Sequence, residues 1–533
     1  MPRFPNITHN PVDDANPAIQ IFGRRFYKDQ TPIEYLSEFL LVFASPKTQD
    51  GMQSFEFPLY TDTPTEELSY FPPFRLGLKL FAFLSASKLD TRHPVHIAAF
   101  QRAVTAILER SNCQNERDEG ASVRLIQGLF SGFLGVAGDR TWTAHTFLPA
   151  SATLLAREVL WKHAGLNGAQ VQLKPGDTWG DAWRFFNTSA HSFMARGGEL
   201  LYLQLENLFN RHRATPPASL PGLLGSKSYR HLDNLESIEK LRDELQLNLA
   251  MLLRNGDRAI GPLGRFVDRA LSDVEITGEP PHPPKAAYLG WVPSETSTEA
   301  LLFAWEANNI CMAQRGGLQK IALLRDLAVL HVMRSLCYQS ARVTKREPTP
   351  DFSGAYGWIA CSPYASDDSN TKKLSINVYA RVEGMLFSAL RDFDGYRGLP
   401  DVPKERERKL DDGDDNALRL FRKIGKQIGI VVPRKGPGMR MTLPPHLVRL
   451  LVAALIPPGD RLRLNDFYAR IFAHYGLAIE QSLAAKALIA NEAGEEATAL
   501  EVDSSWFEEE LKRGGFLIPL SDAVSLVANP YKG

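Results

Sequence analysis

The amino-acid sequence predicts a mainly α multidomain protein with a helical body. In the first half, apolar residues recur three and four positions apart, as at Leu36, Phe39 and Leu40 after Pro32. No strand pattern is interleaved to cover these apolar faces, so the helices must pack on one another. The chain has 533 residues, more than one hydrophobic core usually serves. Several domains are therefore expected.

Proline-rich breaks divide the predicted helices into domains. The helices of the first half are predicted at residues 33–43, 76–84, 94–108, 122–134, 154–163, 190–209 and 238–253. Four prolines among residues 278–285 favour extended backbone and mark the best domain boundary. Further helices are predicted at 298–313, 318–342 and 376–393, with residues 354–370 as a loop. The predicted domains are residues 1–277, 286–400 and 416–533.

The last domain has a different order of elements. Helices are predicted at residues 447–456, 466–475, 479–489 and 506–513, with a short strand at 461–464 and a closing hairpin at 516–520 and 524–527. Ser505-Trp-Phe-Glu508 has the residue types of a capping box and predicts where the last helix begins. Helices closed by a two-stranded wing resemble a winged-helix domain, and the stretch 511–531 resembles the end of one. The resemblance implies a C-terminal winged-helix domain.

The helix before the wing conflicts with the simplest function of such a domain. Helices that enter the DNA major groove usually present Arg, Lys, Asn or Gln. This helix and the residues before it carry Asp503, Glu508, Glu509 and Glu510, which phosphates repel. We therefore expect the winged helix to contact other proteins, or DNA through another face.

A basic stretch at residues 416–459 is the strongest functional signal. It contains eight basic residues and no Asp or Glu, whereas the whole chain balances 61 basic against 61 acidic residues. The predicted nucleic-acid-binding residues are Arg419, Arg422, Lys423, Lys426, Arg434, Lys435 and Arg440. A helix at 416–428 would place the first four on one side, and a Lys-Gly-Pro-Gly turn predicts a basic hairpin after it. Such a local positive surface attracts polyanions through counterion release.

Three interpretations of the basic stretch stay open. The first is nucleic acid, with double-stranded DNA as the expected ligand. The second is an acidic protein partner. The third is a solvated face without any ligand.

Motifs for catalysis are missing from the sequence. Gly425-Lys426 comes nearest to a phosphate-binding loop, but Gln427 follows it and position 420 is leucine. There is neither His-Glu-x-x-His nor Gly-x-Ser-x-Gly. The sequence therefore predicts no catalytic residue and no cofactor.

Two polar clusters are candidates for metal binding, yet neither favours it. His93 and His96 stand three apart without an acidic or cysteine partner nearby, so a helix start explains them better. Asp411-Asp-Gly-Asp-Asp415 lacks the spacing of a calcium loop. Its position just before residue 416 predicts a favourable interaction with a helix N-terminus instead. No metal site is predicted.

Cysteine usage and hydropathy favour a soluble cytoplasmic protein. Cys113, Cys311, Cys337 and Cys361 are scattered without a Cys-x-x-Cys pair, which is typical of reduced, buried thiols. No apolar run approaches 18 residues, and the first residues, MPRFPNITHN, have no targeting pattern. No membrane contact is expected.

The combination of a helical body, a terminal winged helix and no catalytic motif resembles accessory subunits of prokaryotic DNA-processing or anti-phage defence systems. The resemblance implies a non-catalytic subunit that binds nucleic acid and other protein subunits of the same system. One alternative is a metal-dependent nuclease subunit whose site includes Asp351, Asp367, Asp368, Lys372 and Lys373. The other is a scaffold that binds acidic proteins only.

Overall fold

The structure is a computed structural model that describes residues 2–7, 15–23, 26, 30–74, 78, 94–110, 119–131, 147–157, 160–161, 186–187, 197–215, 227–256, 260–272, 286–344, 356–366, 369–391, 398–491, 501–521 and 524–532. The chain is mainly helical, as predicted. The predicted proline-rich boundary at 278–285 and nearly all of the predicted helix at 76–84 lie outside the described residues.

The helices of the first half include a closely packed pair. Their bounds are Pro17–Phe22 (α1), Pro32–Ala44 (α2), Pro94–Arg110 (α3), Glu119–Ser131 (α4), Gly197–Arg211 (α5), Ile238–Asn255 (α6) and Ile260–Ser272 (α7). α2 begins at Pro32, one residue before the predicted start, because proline suits a first turn and the Glu34 carboxylate accepts the Thr31 N–H. α5 lies close to α2, since a Cβ on Gly198 would be 2.4 Å from the Cβ of Glu38.

The second half adds the remaining described helices. Their bounds are Ser297–Met312 (α8), Gly317–Thr344 (α9), Asn370–Ala389 (α10), Pro403–Asn416 (α11), Leu418–Gln427 (α12), Pro445–Leu455 (α13), Leu464–Tyr475 (α14), Gln481–Ala490 (α15) and Ser505–Arg513 (α16). Most agree with the predicted helices. α11 was not predicted, because its sequence PKERERKLDDGDDN has almost no apolar face from which a helical period could be recognised.

The strands are short and form small sheets. They are Arg3–Phe4 (β1), Ser69–Tyr70 (β2), Leu160–Trp161 (β3), Phe186–Asn187 (β4), Ala287–Tyr288 (β5), Val292–Pro293 (β6), Trp358–Cys361 (β7), Val431–Val432 (β8), Arg440–Thr442 (β9), Arg461–Arg463 (β10), Leu477–Ala478 (β11), Leu517–Ser521 (β12) and Val524–Ala528 (β13). The larger sheets have the strand orders β11-β7-β9-β8 and β10-β13-β12. β7 is parallel to both of its neighbours, whereas the β10-β13-β12 sheet is antiparallel.

Two predictions of local structure are wrong. Residues 154–163 were expected to be helical, but Leu154 ends a 3₁₀ turn and β3 follows at Leu160. Residues 354–370 were expected to be a loop, yet they contain β7, which is buried along its whole length. A short buried segment has no alternating pattern, so its sequence does not distinguish strand from helix or loop.

The C-terminal elements follow the predicted order. The hairpin of β12 and β13 is present, and β10 pairs with β13. The last helix begins at Ser505, one residue earlier than predicted. Ser505 is not the N-cap of a capping box, because the N-cap is Ser504, whose side chain makes no capping hydrogen bond; the Ser505 N–H donates to the Asp503 carboxylate at 2.9 Å.

One buried core joins elements from all three predicted domains. It runs from Phe4 to Val527 without a break between the predicted segments. For example, the Tyr229 hydroxyl donates to the Ala473 carbonyl oxygen at 2.6 Å, and the Asn309 amide donates to the Ala454 carbonyl at 2.8 Å. The division into separately folding domains stays a prediction.

A charged network lies inside this core. Arg334 on α9 donates through both terminal nitrogens to Glu306 on α8, at 2.7 and 3.0 Å, and both side chains are almost completely buried. His474 on α14 contacts the same carboxylate at 2.7 Å. Because Arg334 also donates to Nδ1 of His331, that imidazole carries its proton on Nε2, which donates to Gln204 on α5 at 2.7 Å. The network therefore links four helices.

The buried His331 makes a pH-dependent contribution to stability. Burial, and then the charge of Arg334, lower its pKa well below the ordinary 6.5. The unfolded chain therefore binds a proton below about pH 6.5 that the folded chain does not, so this residue lowers stability as pH falls. Replacing His331 by Gln keeps a donor and an acceptor but removes the titration.

We expect the stability of the wild type, relative to His331→Gln, to fall as pH drops below about 6.5, by at most about 1.4 kcal/mol for each pH unit. Denaturant unfolding of both proteins from about pH 6.5 to about pH 5 measures the difference between their free energies of unfolding. The other titrating groups contribute equally to both proteins and drop out of this difference. Parallel pH profiles of the two proteins would contradict the burial of a neutral imidazole.

Within the described ranges, the helices and the cysteines agree with the predictions made from hydropathy and cysteine spacing. None of the helices there combines the length and apolar character needed to cross a membrane. Cys311, Cys337 and Cys361 are buried free thiols, as predicted, and Cys113 lies outside the described residues.

Candidate nucleic-acid interface

The basic stretch begins with a two-faced helix, α12. Leu420, Phe421 and Ile424 are buried and hold one face against the core. The other face carries the basic side chains Arg419, Arg422, Lys423 and Lys426, which are exposed or partly exposed. The first and last of these are seven positions apart, so the basic row is about 10 Å long at the helical rise.

The predicted basic hairpin follows α12 and is held on both sides. β8 pairs antiparallel with β9, and Val431 lies opposite Met441. β9 also pairs with β7, and the Met441 N–H donates to the Ser375 hydroxyl of α10 at 3.1 Å. Gly436 and Gly438 in the turn have φ angles of 91° and 79°, which glycine adopts without strain. The turn is thus attached to a small sheet and a helix.

A groove lies between α12 and the hairpin. A Cβ on Gly425 would be only 2.6 Å from a Val431 methyl carbon, so glycine allows α12 to lie directly against β8. The groove has a volume of about 510 Å³, within the range of small-ligand sites. Its lining residues are Arg419, Arg422, Lys423, Lys426, Gln427 and Arg434. No carboxylate of the described residues belongs to this lining.

The groove brings together five of the seven predicted residues. Lys435 is exposed in the turn, directly after Arg434. Arg440 points elsewhere: it lies partly buried on β9 beside Cys361, where burial raises the pKa of the thiol and Arg440 acts in the opposite direction. The interface of the structure is therefore smaller than the basic stretch of the sequence.

Carboxylates contact one end of the groove. The cluster at 411–415 lies just before α12, but it forms the last turns of α11 and does not cap the α12 N-terminus as predicted. Arg419 donates to Asp411 and to Asp415, both at 2.5 Å. Only Ala417 separates α11 from α12, so the acidic turns lie beside the first turn of the basic helix. The acidic cluster neutralises a predicted ligand-binding residue.

Arg422 is held by a second carboxylate. Its Nε and Nη2 atoms donate to the two oxygens of Glu383 on α10, at 2.6 and 2.8 Å. The Glu383 side chain is 11% exposed and that of Arg422 39%. A two-point contact of this kind fixes α12 against α10. Arg422 therefore has a structural role as well as a place in the groove.

Three of the four other cations of the groove and turn have different surroundings. Lys426, Arg434 and Lys435 form no ion pair with any carboxylate in the described part of the chain. They are the residues whose positive charge is least compensated.

Sequence reasoning missed Gln427 in the lining. It also missed Asp415 as the partner of Arg419, although their spacing of four residues is the usual signal for a helical ion pair.

The other candidate sites gain no support. Asp351, Asp367, Asp368 and His93 lie outside the described residues, and nothing is described of the His96 side chain. Among the residues that the structure describes, no group of three His, Cys, Asp or Glu side chains is arranged to hold a metal ion.

Comparison with known proteins gives no guide to this groove. No protein-family model, no curated protein and no solved structure matches the chain.

Proposed function

We propose that this chain is a nucleic-acid-binding, non-catalytic subunit of a multi-protein DNA-processing or anti-phage defence complex, and that double-stranded DNA binds at the groove between α12 and the hairpin. The observation that carries the proposal is the lining of this groove, which consists of five cationic side chains and one amide. Cations grouped in this way bind phosphates by releasing counterions.

The dimensions of the groove fit a nucleic-acid backbone. The basic row of α12 is about 10 Å long, which equals about three base steps along one strand. Arg434 and Lys435 extend the positive surface from the hairpin. Gln427, beside Lys426, supplies an amide that can donate to a phosphate oxygen or to a base edge.

The C-terminal elements support a further part of the proposal, a winged-helix domain that contacts protein partners. β10 lies between α13 and α14, and β12 and β13 follow α16, which is the order expected for such a domain. α16 carries Glu508, Glu509 and Glu510, and a helix of this charge is unsuited to the major groove. We assign this helix to contacts with other subunits.

A titration with three labelled polyanions tests the proposed ligand. The purified chain is mixed with duplex DNA, with one of its strands, and with polyglutamate, and binding is followed by fluorescence anisotropy between about 50 and 200 mM salt. We expect duplex DNA to bind with a log-log salt slope of about −3 to −5, for three to five phosphate contacts. Polyglutamate should bind far more weakly.

Two results would contradict the proposal. Absence of duplex binding at low salt removes the nucleic-acid function. Equally tight binding of polyglutamate identifies the groove as a site for acidic proteins, the alternative that the basic composition leaves open.

A further inference from the structure

On the basis of the proposed function, we infer that Asp411 and Asp415 compete with nucleic acid for Arg419. The groove then binds phosphates first at its hairpin end, and Arg419 binds a phosphate only when a strand reaches the α11 end. The acidic turns are thereby an internal competitor that sets the affinity of the groove. They also favour a backbone of several phosphates over a single phosphate group.

The Arg419 ion pairs are exchangeable. The Arg419 side chain is 50% exposed, and those of Asp411 and Asp415 are 56% and 17% exposed. The pair with Asp411 is at least half exposed on both sides, and such pairs have small net energies because water and salt compete with both partners. A phosphate carries the same charge as the carboxylates and accepts the same guanidinium hydrogen bonds. A nucleic-acid strand in the groove can therefore replace them.

The Arg422 pair is not exchangeable in the same way. Both of its hydrogen bonds go to Glu383, which is almost buried and belongs to α10. Breaking that contact leaves a poorly solvated carboxylate without its partner, which is costly. Arg422 thus stays attached to α10 while Arg419 changes partners.

The result is a gradient of available charge along the groove. At the hairpin end, Lys426 and Arg434 form no ion pair with the described residues. At the other end, Arg419 lies between two carboxylates, so an incoming anion there meets negative charge. A single phosphate gains little by moving to that end. A strand already bound at Lys426 reaches it without a further loss of translational freedom.

Charge-removing variants test this competition. Asp411→Asn/Asp415→Asn should increase the affinity for duplex DNA about eightfold near 0.1 M salt and steepen the salt slope by about 0.9, the effect of one added phosphate contact. Binding of inorganic phosphate should change much less. The same double substitution in an Arg419→Gln background should give no gain, because the released cation is then missing.

Asp412→Asn is the matched control for the single variant Asp411→Asn. Asp412 is exposed in the same acidic turn but forms no ion pair with Arg419, so it changes the net charge without releasing the guanidinium. The single variant Asp411→Asn, at the most exposed of the contacts, should give part of the gain and provides a second test if Asp415→Asn disturbs the fold.

The outcomes separate this inference from the function on which it rests. An equal gain from Asp412→Asn, or a gain that survives Arg419→Gln, would show general charge repulsion and overturn the competition. If DNA affinity depends on Lys426 and Arg434 but does not change in Asp411→Asn/Asp415→Asn, the competition is overturned and the proposed function is kept. No DNA binding by the wild type overturns both.

Discussion

Replacing Lys426, Arg434 and Lys435 together by glutamine is expected to weaken duplex DNA binding several hundredfold near 0.1 M salt. Each phosphate contact contributes a slope of about 0.9 to the dependence of log affinity on log salt, which is about a factor of eight at 0.1 M. Three such contacts multiply to about 500-fold and should flatten the slope by about 2.7. The three residues are chosen because no carboxylate among the described residues pairs with them.

Arg422 is deliberately left unchanged in this variant. Its substitution would leave the Glu383 carboxylate without the guanidinium that it binds through both oxygens. Loss of DNA binding would then be confused with movement of α12 away from α10. Glutamine at the three chosen positions removes charge from exposed or partly exposed side chains only.

The matched control is Lys404→Gln/Arg406→Gln/Arg408→Gln on α11. It removes the same charge from three exposed side chains that lie outside the groove and alternate with Glu405 and Glu407. Its affinity should stay within a few fold of the wild type, since steering by net charge alone is a weak and strongly screened effect. Similar losses in both triple variants would mean that binding is diffuse and that the groove is not the site.

The sequence alone predicted most of the helices, because a helix with one buried face repeats its apolar residues visibly. It did not predict α11, whose surface is polar on nearly all sides, or β7, which is too short and too buried to alternate. Both failures affect the site. α11 supplies the carboxylates that contact Arg419, and β7 is the strand that fixes the basic hairpin through β9.

The charge of the candidate site was also only partly predictable. A stretch without Asp or Glu suggests uncompensated positive charge, but compensation depends on neighbours in space. Glu383 precedes Arg422 by 39 positions and comes from another helix, so no local pattern indicates the pair. The Asp415 and Arg419 pair could have been predicted from its spacing. The number of cations available to bind a ligand is therefore smaller than the number of basic residues in the stretch.

The buried network of Glu306, Arg334 and His474 escaped prediction for a similar reason. Its members lie on three helices, and an isolated Glu or Arg in a helical pattern is normally assigned to the exposed face. Desolvation of two full charges is costly. The pair is tolerated because the two terminal nitrogens of Arg334 donate one to each carboxylate oxygen of Glu306. Removing one partner should therefore have the largest effect on stability.

Glu306→Gln is expected to destabilise the folded protein by about 3–5 kcal/mol, because it leaves the Arg334 charge buried without a counter-charge. His474 also loses the anion that accepts its Nδ1–H. The shift of the urea unfolding midpoint measures the loss. Arg513→Gln, which breaks the exposed pairs with Glu509 and Glu510, is the matched surface control, and should change stability by about 1 kcal/mol or less.

The double variant Glu306→Leu/Arg334→Met separates charge from packing. Removing both charges together avoids the uncompensated ion, so the double variant should be more stable than Glu306→Gln although it alters more atoms. The remaining cost should be about 1–3 kcal/mol, from the His474 and His331 nitrogens that lose their partners. A double variant less stable than Glu306→Gln would show that the two residues act mainly through shape, and the account of α8, α9 and α14 as joined by a buried ion pair would have to be abandoned.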